Sequence, residues 1–190
     1  MTDQWTLNRR NFAGRWQGCG HWFERDGNNR LDLQVPARRI DPTLYAISFS
    51  DDDHGVWDGS GLALAPAGRA TYPISRATYN AGGNCWQFMG AGGQSSLALD
   101  AERPRFGHEI NLFFGRSRSM LVLLWALFNG CWQLQRVGAV GFRCQTSSEP
   151  EPNRPEGGTP IAMLESVQGW VGQREILRPQ PGVNASAEQR

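Results

Sequence analysis

The sequence predicts an all-β protein: an antiparallel barrel of about eight to ten strands with short terminal helices. Short runs rich in aromatic and β-branched residues recur between clusters of Gly, Pro, Asn and Asp, and the 23 glycines supply many tight turns. A length of 190 residues with 39% hydrophobic content, eight Trp and nine Phe is enough for one domain with a real core.

In chain order, residues 2–12 read as a short helix that plugs one end, with Trp5, Leu7 and Phe12 as its apolar contacts. Strands are expected near 16–25, 30–40, 43–50, 60–65, 69–79, 84–89 and 95–99, then longer ones at 105–114, 118–128 and 131–144. Asp26-Gly27-Asn28-Asn29 and Asn129-Gly130 tolerate positive φ and make credible hairpin turns, Asn-Gly being the preferred two-residue type. The run Ser119 to Leu127 is apolar at nearly every position, so both of its faces should be covered, by a terminal segment of the chain or by a partner. Residues 1–144 form the expected barrel core. Residues 145–160 are Ser/Glu/Pro/Gly-rich and read as a flexible linker, and 161–178 turn hydrophobic again, as a helix plus a last strand packing on the barrel. Whether Gly169-Trp170-Val171-Gly172 completes this barrel or echoes a second unit stays open. The polar tail 179–190 is expected to be disordered.

Composition also excludes function classes. Nineteen Lys+Arg, all of them Arg, against eighteen Asp+Glu leave a formal charge of +1, so no global field attracts nucleic acid or an acidic membrane. The longest apolar run, Met120 to Phe128, is about half the length of a membrane-spanning helix. The N-terminal residues lack a secretory pattern, and the expected location is cytoplasmic. The cysteines Cys19, Cys85, Cys131 and Cys144 form no CxxC pair and read as buried thiols. Cys19 and His21 share a strand face, yet no second pair matches them, and no metal site is expected. Asp51-Asp52-Asp53-His54 lacks a calcium loop and reads as a solvated turn. Gly82-Gly83 and Gly90-Ala91-Gly92-Gly93 precede no helix and read as flexible turns, not phosphate cradles.

Two motifs carry a resemblance. Phe12-x-Gly14-x-Trp16 opens the first strand and Arg116-x-Arg118 opens a late one, and together with the succession of antiparallel strands they resemble the lipocalin-like (calycin) barrels. Within that superfamily the block from Glu109 to Met120 is similar to a cyanobacterial group, the uncharacterised lipocalin-like proteins of photosynthetic bacteria and the S-type phycobiliprotein chromophore lyases. The resemblance implies a first-strand Trp crossed by a late-strand Arg at the closed end, roles that Trp16 and Arg116 or Arg118 match. It further implies a bilin or related pigment as the bound ligand, with no other cofactor. Trp16, Trp22, Trp86 and Trp125 would be wall residues, Arg116, Arg118 and Arg143 partners of its propionates, and Glu109 the acid. Only the Glu and the Arg-x-Arg of the lyase pattern are present.

Each residue also has a plain reading. Trp16 can serve only to close the barrel, one arginine can close it while the other meets a ligand carboxylate, and Glu109 can be their salt-bridge partner. The expected function is binding of a hydrophobic carboxylated ligand, as a lyase or chaperone acting on a phycobiliprotein subunit. The alternative is a non-catalytic assembly module for a photosynthetic complex, with the interior filled by its own side chains.

Overall fold

The structure, a computed structural model, describes residues 3–62, 71–78, 85–95, 102, 104–146, 175–177 and 187–189. It is all-β, as the sequence predicts. One helix, α1 (Gln4–Phe12), precedes nine strands of a single curled antiparallel sheet: β1 (Gly14–Glu24), β2 (Arg38–Phe49), β3 (His54–Asp58), β4 (Thr71–Ser75), β5 (Cys85–Phe88), β6 (Ala91–Ser95), β7 (Arg105–Phe114), β8 (Ser117–Phe128) and β9 (Cys131–Cys144). The spatial order is β4-β3-β2-β1-β9-β8-β7-β6-β5. Every neighbouring pair but β1·β9 is adjacent in sequence, so this is a calycin-like up-and-down barrel with one seam, between β4 and β5.

Helix α1 lies across that seam. At β5, the Gln4 side chain takes the place of a strand neighbour: its Nε2 donates to the Gln87 carbonyl (2.8 Å) and its Oε1 accepts from the Gln87 N–H (2.7 Å). Asn11 Nδ2 reaches the Phe88 carbonyl (3.0 Å). On the other side Trp5 Nε1 donates to the Asp52 carbonyl (2.6 Å) in the β2–β3 turn, and Arg76, just past β4, pairs with Asp3 (3.0 Å). The expected apolar contacts Trp5, Leu7 and Phe12 are all buried. The helix starts where Asp3 Oδ1 accepts from the Trp5 and Thr6 N–H groups (3.0 Å each), and Arg9 and Arg10 oppose the dipole in its last turn.

Asp3 also marks a pH-dependent anchor. Partial burial pushes its pKa up, but the Thr6 hydrogen bonds and the Arg76 charge outweigh this and leave it lowered. A lowered folded-state pKa contributes stability that is present above the unfolded value and lost as pH falls through the folded one. Asp3→Ala is therefore expected to lower the unfolding free energy by about 1 kcal/mol at neutral pH. In urea titrations the difference from the parent protein should shrink as pH falls below the ordinary carboxylate range.

Several expected elements shift. The strands expected at 30–40 and 43–50 are one strand, β2, with Asp41-Pro42 looped out opposite the register break between Gly18 and Gly20. Proline has no N–H for the ladder, which is why the pairing breaks there. Residues 32–37 are not strand, β3 lies where a turn was read to end, and Ala91-Gly92-Gly93, expected in a flexible turn, is the first part of β6. In β6 a Cβ at Gly93 would overlap the Glu109 carbonyl, so glycine is what lets β6 approach β7. The Asn129-Gly130 turn is as expected, with φ of 49° and 77°. Residues 60–62 form a turn, and 63–65 lie outside the described residues. So do most of 147–190, including the expected helix and Gly169–Gly172; β10 (Glu175–Leu177) and β11 (Ala187–Gln189) pair with each other. Among the described residues no helix is long and apolar enough to cross a membrane.

Candidate functional site

Inside the curled sheet, above Phe12 of the plug helix, lies a cavity of about 200 Å³. Its apolar wall includes Phe12, Tyr45, Trp57, Tyr72 and Phe142; its polar lining is Gln94, Glu109 and Arg118. Strand alternation accounts for this: Tyr45 and Ile47 of β2, Arg118 and Met120 of β8, and Phe142 of β9 are period-two positions on inward faces.

Trp16 is 1% exposed and stacks on Tyr45 with centroids 6.5 Å apart and planes at 13°. Both arginines of the Arg116-x-Arg118 motif lie against its ring, at 4.9 Å for Arg116 and 5.1 Å for Arg118. They are otherwise unlike. Arg116 sits in the β7–β8 turn, and its guanidinium caps α1 by donating to the carbonyls of Arg10 (3.0 Å) and Ala13. It also donates to Cys144 Sγ (3.1 Å). Arg118 is 1% exposed and faces the cavity. Its guanidinium carbon lies 4.4 Å from the Tyr45 ring centre and 4.3 Å from that of Phe142. Among the described residues none of its three nitrogens has a hydrogen-bond partner. Desolvation pushes its pKa well down, the sign of a buried cation without a counter-charge.

Glu109 is not that counter-charge. It forms no ion pair among the described residues, against the expected salt bridge, because the register separates the two groups. Arg118 pairs with Phe113, four residues along β7 from Glu109, an offset of about 13 Å between backbones. Glu109 Oε1 instead accepts from Asn111 Nδ2 (2.8 Å), on the same strand face as expected, and Asn111 is wholly buried. Glu109 is half-buried and lines the cavity. Desolvation raises its pKa, and the Asn111 hydrogen bond only partly opposes this. A raised folded-state acid costs stability as pH rises from its unfolded toward its folded pKa. Glu109→Gln should therefore be more stable than the parent at neutral pH, with the gap closing as pH falls toward 4.5, the acid's ordinary value. Urea midpoints measured across that range check this.

The other sequence candidates lie elsewhere. Trp22 is buried on the inner face of β1 and packs on Gly138, beyond the cavity lining. Trp86 alternates with the buried Cys85 and Gln87 and donates to Ser95 Oγ (3.2 Å) on the outer face. Trp125 stacks on Phe106 (5.8 Å, 3°), three residues from Glu109 and so on the opposite face. Arg143 alternates with Phe142, is exposed and donates to Ser117 Oγ (3.2 Å). Sequence reasoning missed Tyr45 and Phe142, although Thr43, Tyr45 and Ile47 alternate as an inward strand face should.

No family model matches the chain, and no curated protein matches it. Among solved structures it is similar to a Nostoc punctiforme protein of unknown function from the DUF3598 family, with a TM-score of 0.58 and 16% identity. The chain shares that protein's fold. The match covers 100% of this chain and 61% of the Nostoc protein, so this chain spans less than two thirds of its neighbour's length. The neighbour is cyanobacterial and has no assigned function; the likeness carries no activity across.

Proposed function

We propose that this protein binds a compact hydrophobic carboxylate inside the barrel, with Arg118 as the partner of the carboxylate. The observation that carries this reading is a guanidinium that is 1% exposed, has no hydrogen-bond partner among the described residues, and lines an aromatic cavity. A buried charge is costly unless paired, and a carboxylate is the natural planar match for a guanidinium. Arg116 takes the structural half of the motif, at the end of α1 and against Trp16.

Size narrows the ligand. A cavity of about 200 Å³ is smaller than the roughly 300–1,000 Å³ of sites that enclose drug-sized molecules, while about 150 Å³ accommodates benzene. This supports one aromatic ring with a short acid arm over a whole open-chain tetrapyrrole. A bilin would bind by inserting one propionate-bearing ring, and a lyase or chaperone role for a phycobiliprotein subunit would rest on that partial insertion. Calorimetric titration with 4-methylphenylacetate and, separately, with phycocyanobilin tests the size argument. Saturable binding of the small acid alone is the expected result. A red-shifted, stoichiometric bilin complex without binding of the small acid would overturn it in favour of the pigment.

A second reading, an assembly module for a photosynthetic complex, has one observation in its favour. Leu112, Phe114 and Leu121, on the outer faces of β7 and β8, are 60%, 55% and 37% exposed. Exposed apolar side chains grouped on one sheet face are a mark of protein contact.

A further inference from the structure

The cavity lining carries Arg118 on β8 and, beside Gln94 of β6, Glu109 on β7, and the spacing of Arg118 and Glu109 along the β7–β8 ladder constrains the ligand beyond its carboxylate. Arg118 enters from β8 and Glu109 from β7, with Asn111 and Met120 paired at a register position between them. The backbone offset of about 13 Å is on the scale of a single ring that carries a polar group at each end. Tyr45, Phe142 and Tyr72 supply aromatic surface in the same cavity.

At the Glu109 end the hydrogen-bond accounting is incomplete. Oε1 accepts from Asn111 Nδ2 (2.8 Å), and Oε2 has no partner among the described residues. Among the described residues it forms no ion pair, and the ionisable groups whose fields it shares are Tyr72 and Cys85, each pushed up to about 12 by burial first and by Glu109 itself second or later. Both are therefore neutral near pH 7. For an acid in a largely apolar wall, with uncharged neighbours and one N–H donor, burial favours the protonated form relative to a free carboxyl, the direction of its own shift. With Oε1 taken by Asn111, Oε2 is the atom from which the protonated acid can donate into the cavity.

We propose that the ligand carries, at the end opposite its carboxylate, a hydrogen-bond acceptor such as a ketone or aldehyde oxygen, which receives the free O–H of Glu109. The inference rests on the reading of Arg118 as the carboxylate partner. It makes the ligand class an aromatic keto acid or its equivalent: anion at Arg118, flat ring among the aromatic side chains, carbonyl at Glu109. Glu109 acts here as a specificity residue, and no covalent step is involved.

A matched pair of probes tests it: 4-acetylphenylacetate, which has the carbonyl, and 4-isopropylphenylacetate, which has the same shape without it, titrated calorimetrically at pH 7. The parent protein should bind the acetyl compound about tenfold more tightly, the worth of one buried hydrogen bond to a neutral acid. Glu109→Leu should reduce that ratio to about one, whereas Glu109→Gln, which keeps an N–H donor at the same place, should retain most of it. Arg118→Met should weaken both probes and leave their ratio unchanged. Equal binding of the two probes by the parent protein overturns the assignment of Glu109 while the Arg118 site stands. Binding of neither overturns the Arg118 site itself, and this inference with it.

Discussion

Replacing Arg118 by methionine is expected to raise the unfolding free energy by roughly 1–4 kcal/mol while weakening aromatic carboxylate binding by at least about tenfold. The two effects have one origin. The guanidinium is almost fully withdrawn from water, and among the described residues its nitrogens have no acceptor. The rings of Phe12, Trp16, Tyr45 and Phe142 lie 5.4, 5.1, 4.4 and 4.3 Å from its central carbon. Cation–π contacts of this kind are worth about 0.5–2 kcal/mol, and four rings sharing a single charge do not add, so they offset only part of a desolvation cost of several kcal/mol. Methionine fills a similar volume and packs well on aromatic rings without that cost. Were Arg118 a structural keystone, as the Arg116-x-Arg118 motif alone would allow, the same substitution would destabilise the protein. Urea unfolding with and without a saturating carboxylate separates the cases, since a ligand that binds only the folded state adds to parent stability and not to the variant's.

Trp16→Ala should have the opposite signature: a loss of about 3–5 kcal/mol, a large part of the 5–15 kcal/mol typical of a domain. Trp16 Nε1 donates to the Phe12 carbonyl (2.8 Å), its ring stacks on Tyr45 and meets Phe113 (6.1 Å), and both arginines lie against it. It therefore ties the C-terminal end of α1 to β1, β2 and β7. Because α1 covers the seam between the edge strands β4 and β5, loosening that end opens the barrel at its seam. The variant should show a broadened unfolding transition and an early loss of protection in α1 by hydrogen exchange. A cost below about 1 kcal/mol, the range of a surface change, would mean that Trp16 does not hold the helix.

Much of this architecture is legible in the residues. The long strands β7 and β9 begin and end where their aromatic and aliphatic runs do, and Asn129-Gly130 encodes the hairpin between β8 and β9. The plug helix follows from Asp3 as its cap and from Trp5, Leu7 and Phe12. What escapes sequence reasoning is pairing without a side-chain signature. Strand β6, Ala-Gly-Gly-Gln-Ser, is a strand only because its glycines let the backbone fit between β5 and β7. Likewise β3 is five residues long and starts at His54, directly after three aspartates.

The site is legible to the same degree and for the same reason. Period-two spacing correctly groups Glu109 with Asn111, and the motif correctly brings an arginine against Trp16. Which strand face is inward is not encoded where both faces are apolar, so Trp86 and Trp125, equal in sequence to Trp16, have their rings on the outside. Arg116 and Arg118 are equivalent as a motif; the turn before β8 separates them, sending one to the helix end and the other to the cavity.

The most direct test of the account is the affinity of 4-methylphenylacetate against that of its primary amide, measured calorimetrically on the parent protein and on Arg118→Met. The amide keeps the shape and removes the charge. The account predicts that the parent protein prefers the acid by at least about tenfold and that the variant has no preference. Equal affinities for acid and amide in the parent protein, or a preference that survives loss of Arg118, would contradict it.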